Sequence, residues 1–449
     1  MATSGDHELA VDTSPSGCCS PAMTPQEATD SQSAPRRDPI MMRRGWAICG
    51  VAALVYLTAV LHRSLLGVHG SEAADQYQIN AILLSLLPAV SLLFYAATQL
   101  PMGLLIDRVG PRRVILFALT CLTLGSAIFA LAENVWLALV GRVILGLGDA
   151  CTFLSVLRLG SRWLPTGHFL LVAGMANMLG AVGQLLGAYP LQVLLDILGW
   201  QLGFALLSGM TALLFVPIAL IVRDSPEAQA GVSPSRQSAR MPPIRESLRR
   251  VLTSSHVSIG RWLHSVLMTQ FLVLTLLWGY PYLVESQSVS EGNATLLVSA
   301  SIAMFALGSL AVTLWGRGGI EKLRYINQLG VLSWLTWAAA LAWPGQAPLA
   351  VLILLFLVSG VAASGVAYAF SITRDGMDPL DVGAASGLVI MFSFSATSIL
   401  LVAVGSLFTW SVDSGLASHN AYRLALAIVP LFMALGWARI VSLTRRSRS

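Results

Sequence analysis

The chain has 449 residues, of which 55% are hydrophobic and 11% are charged, with a formal net charge of +5. In an ordinary soluble domain, roughly a quarter of the residues are charged. This chain has too few charged residues to cover a water-exposed surface, which excludes a soluble globular protein. The length allows about a dozen helical crossings of a bilayer, since each crossing needs about 20 apolar residues.

Residues 1–44 are predicted to form a disordered cytoplasmic tail. They are rich in Ser, Pro, Ala and Thr and show no apolar periodicity. The first apolar run begins at Trp46 and is too long for a cleaved secretory signal. It therefore predicts an uncleaved membrane helix.

Twelve apolar segments of spanning length predict an all-α membrane protein made of two six-helix bundles. The segments are 46–68, 79–105, 114–132, 135–160, 168–195, 200–222, 259–284, 293–315, 325–343, 348–372, 382–410 and 421–442. The polar stretch 223–258 is interpreted as a cytoplasmic linker between bundles at 45–222 and 259–443, with 444–449 as a second cytoplasmic tail. Two sets of six helices are what a transporter built from parallel repeats requires.

Arginine placement predicts the orientation of these helices. Basic residues near helix ends stay in the cytoplasm, and here they precede helix 1, occupy the loops after helices 2, 4, 6 and 8, and end the chain. The opposite loops carry acidic residues, with Arg423 as their lone cation. We therefore expect a plasma-membrane protein with both termini in the cytoplasm.

The sequence lacks the patterns of common catalytic and cofactor sites. Five scattered cysteines form no metal spacing or disulfide framework. No phosphate-binding loop, nucleophile triad or nucleotide-binding domain stands out. We expect no enzyme activity, no cofactor, no metal and no nucleic-acid partner.

The loop between helices 2 and 3 carries a specific motif, which reads Gly103-Leu-Leu-Ile-Asp107-Arg108-Val-Gly110-Pro111-Arg112-Arg113. It resembles the signature loop of the major facilitator superfamily. The resemblance implies a monomeric carrier that works by alternating access, with a cytoplasmic gating motif formed by Gly103, Asp107, Arg108, Gly110, Arg112 and Arg113. It also implies that Asp107 ties to the other half near the start of helix 11. In a simpler interpretation, the charged residues of this loop only set the orientation of the helices in the membrane.

Helices 1 and 4 carry charged residues inside apolar runs. Helix 1 has His62 before Arg63, and helix 4 reads Gly141-Arg142-Val-Ile-Leu-Gly146-Leu-Gly148-Asp149. This pattern resembles the organic-anion:cation symporter branch of the same superfamily. The resemblance implies that Arg63 and Arg142 grip a carboxylate or similar anion, and that Asp149 takes up a coupling proton.

Charge inside the bilayer is costly unless it is paired or faces water, so these residues predict a site. At about 1.5 Å per residue, Arg63 and Arg142 each lie roughly 10 Å below the outer surface, with Asp149 two turns deeper. In the alternative interpretation, Arg63 reaches the outer headgroups while Arg142 and Asp149 form a structural ion pair.

His62 stands where the sugar-acid carriers of that branch have an acid. Histidine titrates near neutral pH, so His62 could accept a proton in place of that acid. Alternatively, the protein moves fewer protons, or a second cation beside Arg63 favours a more highly charged anion.

Weaker candidates lie on other helices. Tyr95, Gln99 and Asn177 are expected to contribute to substrate binding, with Gln184 as a further candidate on helix 5. The aromatic residues of helix 7, Trp278, Tyr280 and Tyr282, are more typical of an interfacial belt than of a ligand cage. Arg261 and His264, near the cytoplasmic start of helix 7, are interpreted as side chains that snorkel to the headgroups.

These patterns favour uptake of a small organic anion, coupled to protons through Asp149 and His62. A metabolite or drug exporter is the alternative, although helix 5 lacks the glycine-proline signature common in antiporters. A nitrate-type porter is a third variant whose glycine-rich signatures are not convincing here. A membrane sensor or assembly partner that transports nothing belongs to another class, and only a flux measurement separates it.

Overall fold

The computed structural model describes residues 39–165, 168–225, 244–315, 320–375, 377 and 381–446. Within these ranges the chain forms twelve long helices. They are α1 Pro39–Ser64, α2 Ala81–Val109, α3 Pro111–Leu131, α4 Val135–Trp163, α5 Phe169–Leu198, α6 Trp200–Ile221, α7 Ser255–Ser286, α8 Glu291–Trp315, α9 Ile320–Ala342, α10 Leu349–Asp375, α11 Val382–Asp413 and α12 Ser418–Arg445. The predicted tail up to residue 38, residues 447–449 and most of the linker lie outside the described residues.

Eleven of these helices are long and apolar enough to cross a membrane. The remaining one, α9, begins with a charged turn, and its described apolar part is the shorter segment Ile326–Ala342. No described residue lies in a strand. The prediction of an all-α membrane fold is therefore confirmed.

The first helix differs most from its predicted bounds. It begins at Pro39 and, after a break at Leu65, continues as a helix over Leu66–Tyr77, here called the α1 extension. The extension is itself irregular at His69, whose φ of −91° and ψ of 19° are not helical. At about 1.5 Å per residue, Arg63 lies roughly 20 Å along the chain from the end of this extension.

Local sequence explains where several helices begin. Asn80 and Asn134 cap α2 and α4, because each side-chain oxygen accepts a hydrogen bond from the backbone N–H three residues later, at 3.0 Å. Gly110 turns the chain between α2 and α3 with φ of 92°, which side chains rarely adopt. Pro111 then occupies the first turn of α3, where its missing N–H leaves no bond unmade.

The two halves repeat the same packing. In the first half α1 packs on α5, α2 on α4 and α3 on α6, and in the second half α7 packs on α11, α8 on α10 and α9 on α12. Gly146 lets α4 lie directly on the backbone of Ser91, and Gly360 lets α10 lie on Ser301 in the same way. The repeat predicted from the sequence is present in the helix contacts.

The halves meet along α2 with α11 and along α5 with α8. We call the end where α1 begins and α12 ends the arginine-rich end, and the other the acidic end. At the acidic end, Gly405 of α11 lies against Ala81 and Ser85 of α2, and Gly70 lies against Leu277 of α7. These contacts close the acidic end of the space between the halves.

The part of the linker that the structure describes includes a short helix, Ile244–Thr253, at the arginine-rich end. Arg250 on this helix donates to the Asp381 carboxylate at the start of α11, with Nε and Oδ2 2.7 Å apart. The same guanidinium contacts Glu246 at 2.9 Å. Helix α7 begins directly afterwards at Ser255, four residues earlier than predicted.

Candidate functional site: a buried arginine-aspartate pair

An ion pair between α1 and α4 lies inside the first half. Arg63 Nε and Asp149 Oδ2 are 3.2 Å apart, and the side chains are 10% and 5% exposed. The second carboxylate oxygen of Asp149, Oδ1, is buried and has no hydrogen-bond partner among the described residues. The pair is therefore desolvated but incompletely satisfied, which is unusual for a purely structural contact.

Aromatic rings from both halves enclose the Arg63 guanidinium. Its Cζ lies 5.0 Å from the ring centre of Tyr95 on α2 and 5.6 Å from that of Phe394 on α11. The two rings also contact each other, with centres 4.8 Å apart. Tyr56 of α1 packs nearby and interacts with Arg63. We call Arg63, Asp149, Tyr95 and Phe394 the Arg63 cluster, and it spans the boundary between the halves.

Arg142 is fully buried, and its guanidinium donates hydrogen bonds to backbone carbonyls. Nε donates to Leu87 O at 3.0 Å, Nη1 to His62 O at 2.9 Å and Nη2 to Arg63 O at 3.4 Å. Two of these carbonyls precede the break at Leu65, where the end of a helix leaves carbonyls without intrahelical partners. Arg142 thus fixes the backbone that carries Arg63.

The structure brings Arg63, not Arg142, into contact with Asp149. The alternative of a structural Arg142–Asp149 pair is therefore wrong in its partner. Arg142 also lies away from any accessible surface, since its exposure is 0%. At this place in α1 the His62 and Arg63 carbonyls face Arg142, while the Arg63 side chain faces Asp149.

His62 points away from this pair. Its Nε2 lies 3.0 Å from Thr211 Oγ1 on α6, and its side chain is buried. Thr211 in turn donates to Leu207 O, so its hydroxyl accepts from the imidazole. The structure does not bring His62 into contact with Asp149.

Gln99 follows Tyr95 by one turn on α2 and faces the same direction. It is 2% exposed, and neither its amide oxygen nor its amide nitrogen has a described partner. Gln184 on α5 is also buried, and its Nε2 has no described hydrogen-bond partner. Asn177, two turns earlier on the same helix, is half-buried. The side-chain amides of Gln99 and Gln184 can therefore form further hydrogen bonds, close to the boundary between the halves.

The gating motif is held by the end of α6. The Asp224 carboxylate accepts from the Arg112 backbone N–H at 2.8 Å, and Arg112 Nη2 donates to Ala219 O at 2.8 Å. An anion at the first turn of α3 is favourable because of the free N–H groups there. Arg113 is exposed.

Two parts of this motif differ in what the structure describes. No described atom lies within 4 Å of the position that a Cβ at Gly103 would take, so no other helix packs closely on that glycine in this structure. The side chains of Asp107 and Arg108 lie outside the described part of the chain. The tie from Asp107 to the start of α11 stays a prediction.

The aromatic residues of α7 are not an interfacial belt. Trp278 and Tyr282 are buried, and they donate hydrogen bonds to Leu401 O at 3.2 Å and to Ala340 O at 3.5 Å. His264, which was expected to snorkel, is 3% exposed and packs against Phe370. Both interpretations were wrong because α7 is the most enclosed of the candidate spans.

Sequence reasoning missed Phe394, Thr211 and Asp224. Phe394 is one of several phenylalanines in α11, and nothing in the sequence separates it from lipid-facing ones. Asp224 follows the last apolar residues of α6 and looked like the start of a polar linker. Only the folded structure shows that these three residues contact Arg63, His62 and Gly110, respectively.

Comparisons with known proteins agree with this architecture. The family model described as Major Facilitator Superfamily matches residues 52–401. A bacterial homologue of the human lysosomal transporter Spinster, solved in an inward-facing and unoccupied conformation, superposes with a TM-score of 0.70 at 15% identity. That superposition covers 90% of this chain and 97% of the other.

Three curated relatives match parts of the chain, and two of them are named as transporters. The chain is 23% identical over 186 residues to a probable sulfoacetate transporter of Cupriavidus necator, covering 41% of this chain and 43% of the relative. It is 28% identical over 209 residues to a multidrug resistance protein B homologue of Mycobacterium tuberculosis, covering 44% and 36%. It is 22% identical over 284 residues to a probable L-galactonate transporter of Escherichia coli, covering 60% and 63%. The chain thus aligns with less than two thirds of each relative's length.

Proposed function

The chain belongs to the Major Facilitator Superfamily, as its signature loop predicted, and on that premise we propose that it is a secondary active transporter of a small organic anion. It moves the anion by alternating access and couples the movement to a proton carried by Asp149. The Arg63–Asp149 pair is the observation that carries this proposal.

Arg63 is suited to hold the anion. A guanidinium presents a planar fork that matches a carboxylate or sulfonate, and it stays charged at any physiological pH. Arg63 is partly accessible, while Arg142 is committed to three carbonyls. We therefore assign anion binding to Arg63 and treat Arg142 as the residue that positions it.

The pairing of Arg63 with Asp149 links the anion to the proton. While Asp149 is ionised it occupies Arg63 and competes with an incoming carboxylate. When Asp149 takes up a proton, Arg63 loses its partner and binds the anion instead. Both the empty and the loaded cluster are then close to neutral, which lowers the cost of moving them through the membrane.

The remaining candidates take secondary roles. Tyr95 stacks on Arg63, and Gln99 supplies an unused amide one turn away, so we propose that both contact the cargo. Asn177 stays a candidate for the same role from α5. His62 is bonded to Thr211, so we assign the coupling proton to Asp149 alone. The gating motif from Gly103 to Arg113 controls closure at the arginine-rich end.

Proteoliposomes with an imposed inward proton gradient test this function. The probes are sulfoacetate and L-galactonate within a wider panel of carboxylates and sulfonates, with uncharged polyols as controls. We expect the gradient to drive accumulation of at least one anion and of no polyol. Arg63→Gln should abolish this uptake.

The matched control is Arg439→Gln, because Arg439 is an exposed arginine on α12, outside the Arg63 cluster. It should transport like the wild type. If no anion of the panel moves or exchanges, or if Arg63→Gln leaves the flux unchanged, the anion-symport proposal fails.

Orientation is part of the proposal. The arginine-rich end faces the cytoplasm of a monomer in the plasma membrane, because basic loop residues resist translocation. The exception, Arg423 at the acidic end, donates from Nε to Leu341 O at 2.7 Å, near the end of α9. A cation bonded to the terminal carbonyls of a helix contributes less to the loop charge, so it does not weaken the pattern. Labelling of single cysteines placed at each end of the bundle, in intact cells, tests the orientation.

A drug or metabolite exporter is the second candidate function, favoured by the similarity to the multidrug resistance protein B homologue. This function predicts efflux of apolar dyes that Arg63→Gln does not abolish. Dye retention in cells that express the wild type and the variant separates the two functions.

A further inference from the structure

The second half contains a basic side chain that its own fold does not neutralise. Arg261 lies on α7, with its Cζ 5.3 Å from the ring centre of Phe392 on α11. Its Nε is buried and has no hydrogen-bond partner, and no described carboxylate pairs with it. Arg261 as a whole is half-buried, and a guanidinium without a paired acid is costly in such a place unless a ligand or water reaches it.

His264 lies one turn further along α7, on the same side of the helix. It is 3% exposed, and its ring centre is 5.2 Å from that of Phe370 on α10. Its Nδ1 is buried and has no partner among the described residues. A buried imidazole nitrogen without a partner is a second, independent sign of an unfilled site.

The neighbours of α7 show which way these two side chains face. Gly260 packs on Thr373 of α10, and Thr269 bonds to Thr397 of α11 at 3.0 Å. Arg261 and His264 lie between these two contact directions on the helix. They therefore face the space between α10 and α11, walled by Phe370 and Phe392.

From this arrangement we propose that Arg261 and His264 form a second anion subsite, which binds the carboxylate or sulfonate group of the cargo on its way between the arginine-rich end and Arg63. The subsite rests on the proposed anion transport. Arg261 is a permanent cation, and His264 can donate a hydrogen bond from Nδ1 in one of its tautomers, so the two side chains, one turn apart beside Phe370 and Phe392, fit an oxyanion.

The subsite is distinct from the Arg63 cluster. Phe392, which touches Arg261, and Phe394, which touches Arg63, are two positions apart on α11. Their contacts are therefore about 3 Å apart along the helix axis and roughly 200° apart around it. An anion held by Arg261 therefore lies by a different face of α11 from one held by Arg63, and the cargo contacts the two arginines one after the other.

Residue-resolved arginine modification tests the subsite directly. The full-length protein in a phosphate-free detergent is treated with phenylglyoxal, and the modification rate of each arginine is read by mass spectrometry. The probe is sodium sulfate, compared with sodium chloride at equal ionic strength. We expect sulfate to slow modification of Arg261 several-fold and to leave the exposed Arg439 unaffected.

The variants separate this subsite from the transport proposal. His264→Gln should remove much of the sulfate protection at Arg261, whereas Arg63→Gln should leave it in place. In proteoliposomes, Arg261→Gln should raise the half-saturation concentration for the anion several-fold from the arginine-rich side.

Equal sulfate effects at Arg261 and Arg439 overturn the subsite even if anion uptake is observed. Loss of protection at Arg261 in Arg63→Gln also overturns it, because the two sites are then one. Protection at Arg261 in a protein that transports no anion supports the subsite and refutes the proposed function.

Discussion

The two halves carry different chemistry at equivalent positions. Gly146 on α4 and Gly360 on α10 both lie on a serine backbone in the second helix of their own half, and each helix breaks at the same distance beyond its glycine, at Cys151 and Gly365. In this register Arg142 corresponds to Phe356 and Asp149 to Ala363, all of them buried. Between α4 and α10, buried charge is therefore found at these positions in α4 only.

The second half uses neutral polar contacts in its interior instead. Gln270 Oε1 accepts from Trp337 Nε1 at 3.0 Å and from Ser359 Oγ at 2.7 Å, and its Nε2 donates to Leu267 O at 3.0 Å. This network joins α7, α9 and α10 and leaves no amide atom of Gln270 unpaired. The comparison suggests a division of work around the Arg63 cluster, in which the first half supplies the ion pair and the second half supplies a neutral frame with an aromatic contact.

Replacing Asp149 tests the division most strongly. Asp149→Asn keeps the shape of the side chain but cannot exchange a proton, so we expect anion accumulation driven by a pH gradient to be lost while anion exchange across the membrane persists. Uptake and counterflow in proteoliposomes measure the two activities. Ala363→Ser, the equivalent position in α10, should keep both. Accumulation by Asp149→Asn would exclude Asp149 as the proton carrier.

Arg142 should matter for stability more than for recognition. Arg142→Gln leaves up to three buried carbonyls without a charged donor, and the free energy of unfolding should fall by about 3 kcal/mol. Denaturation in mixed micelles measures this change, with Arg439→Gln expected to be neutral. A variant that is as stable as the wild type but no longer binds the anion would show that Arg142 is a ligand.

The neutral network of the second half predicts a smaller effect. Gln270→Leu should lower the free energy of unfolding by about 1–3 kcal/mol, because Trp337 and Ser359 lose their acceptor in a buried place. The half-saturation concentration for the anion should not change. The exposed Gln346, which donates to Ser288 at 2.7 Å, offers the matched Gln346→Leu control. A marked loss of affinity in Gln270→Leu would contradict the assignment of this network to the frame.

The helices could be predicted from the sequence because their causes are local. Apolar runs, caps such as Asn80 and turns such as Gly110 act over a few residues, so most helix ends agree closely with the prediction. The break at Leu65 was not predictable in this way, since no proline marks it. It is stabilised by Arg142 from another helix, which a linear pattern cannot show.

The residue types of the candidate site could be predicted from the sequence, but the contacts between those residues could not. Arg63, Arg142 and Asp149 stood out because charge is rare in apolar helices. Which arginine meets the acid depends on how α1 bends against α4, and His62 faces Thr211 for the same reason. In the second half Arg261 and His264 were visible in the sequence, but the burial of His264 depends on how completely α10 and α11 enclose α7.

The aromatic contact of the second half with Arg63 predicts the smallest effect. Phe394→Leu removes a cation–π contact of about 0.5–1 kcal/mol and gives the guanidinium more freedom, so the half-saturation concentration should rise by roughly two- to fivefold. Phe408→Leu is the control on the same helix, because Phe408 packs on Tyr422, 4.4 Å between ring centres, at the acidic end. Affinity that is unchanged in Phe394→Leu would show that only first-half residues of the Arg63 cluster bind the anion, and Phe394 would then serve only as a surface against which Arg63 moves.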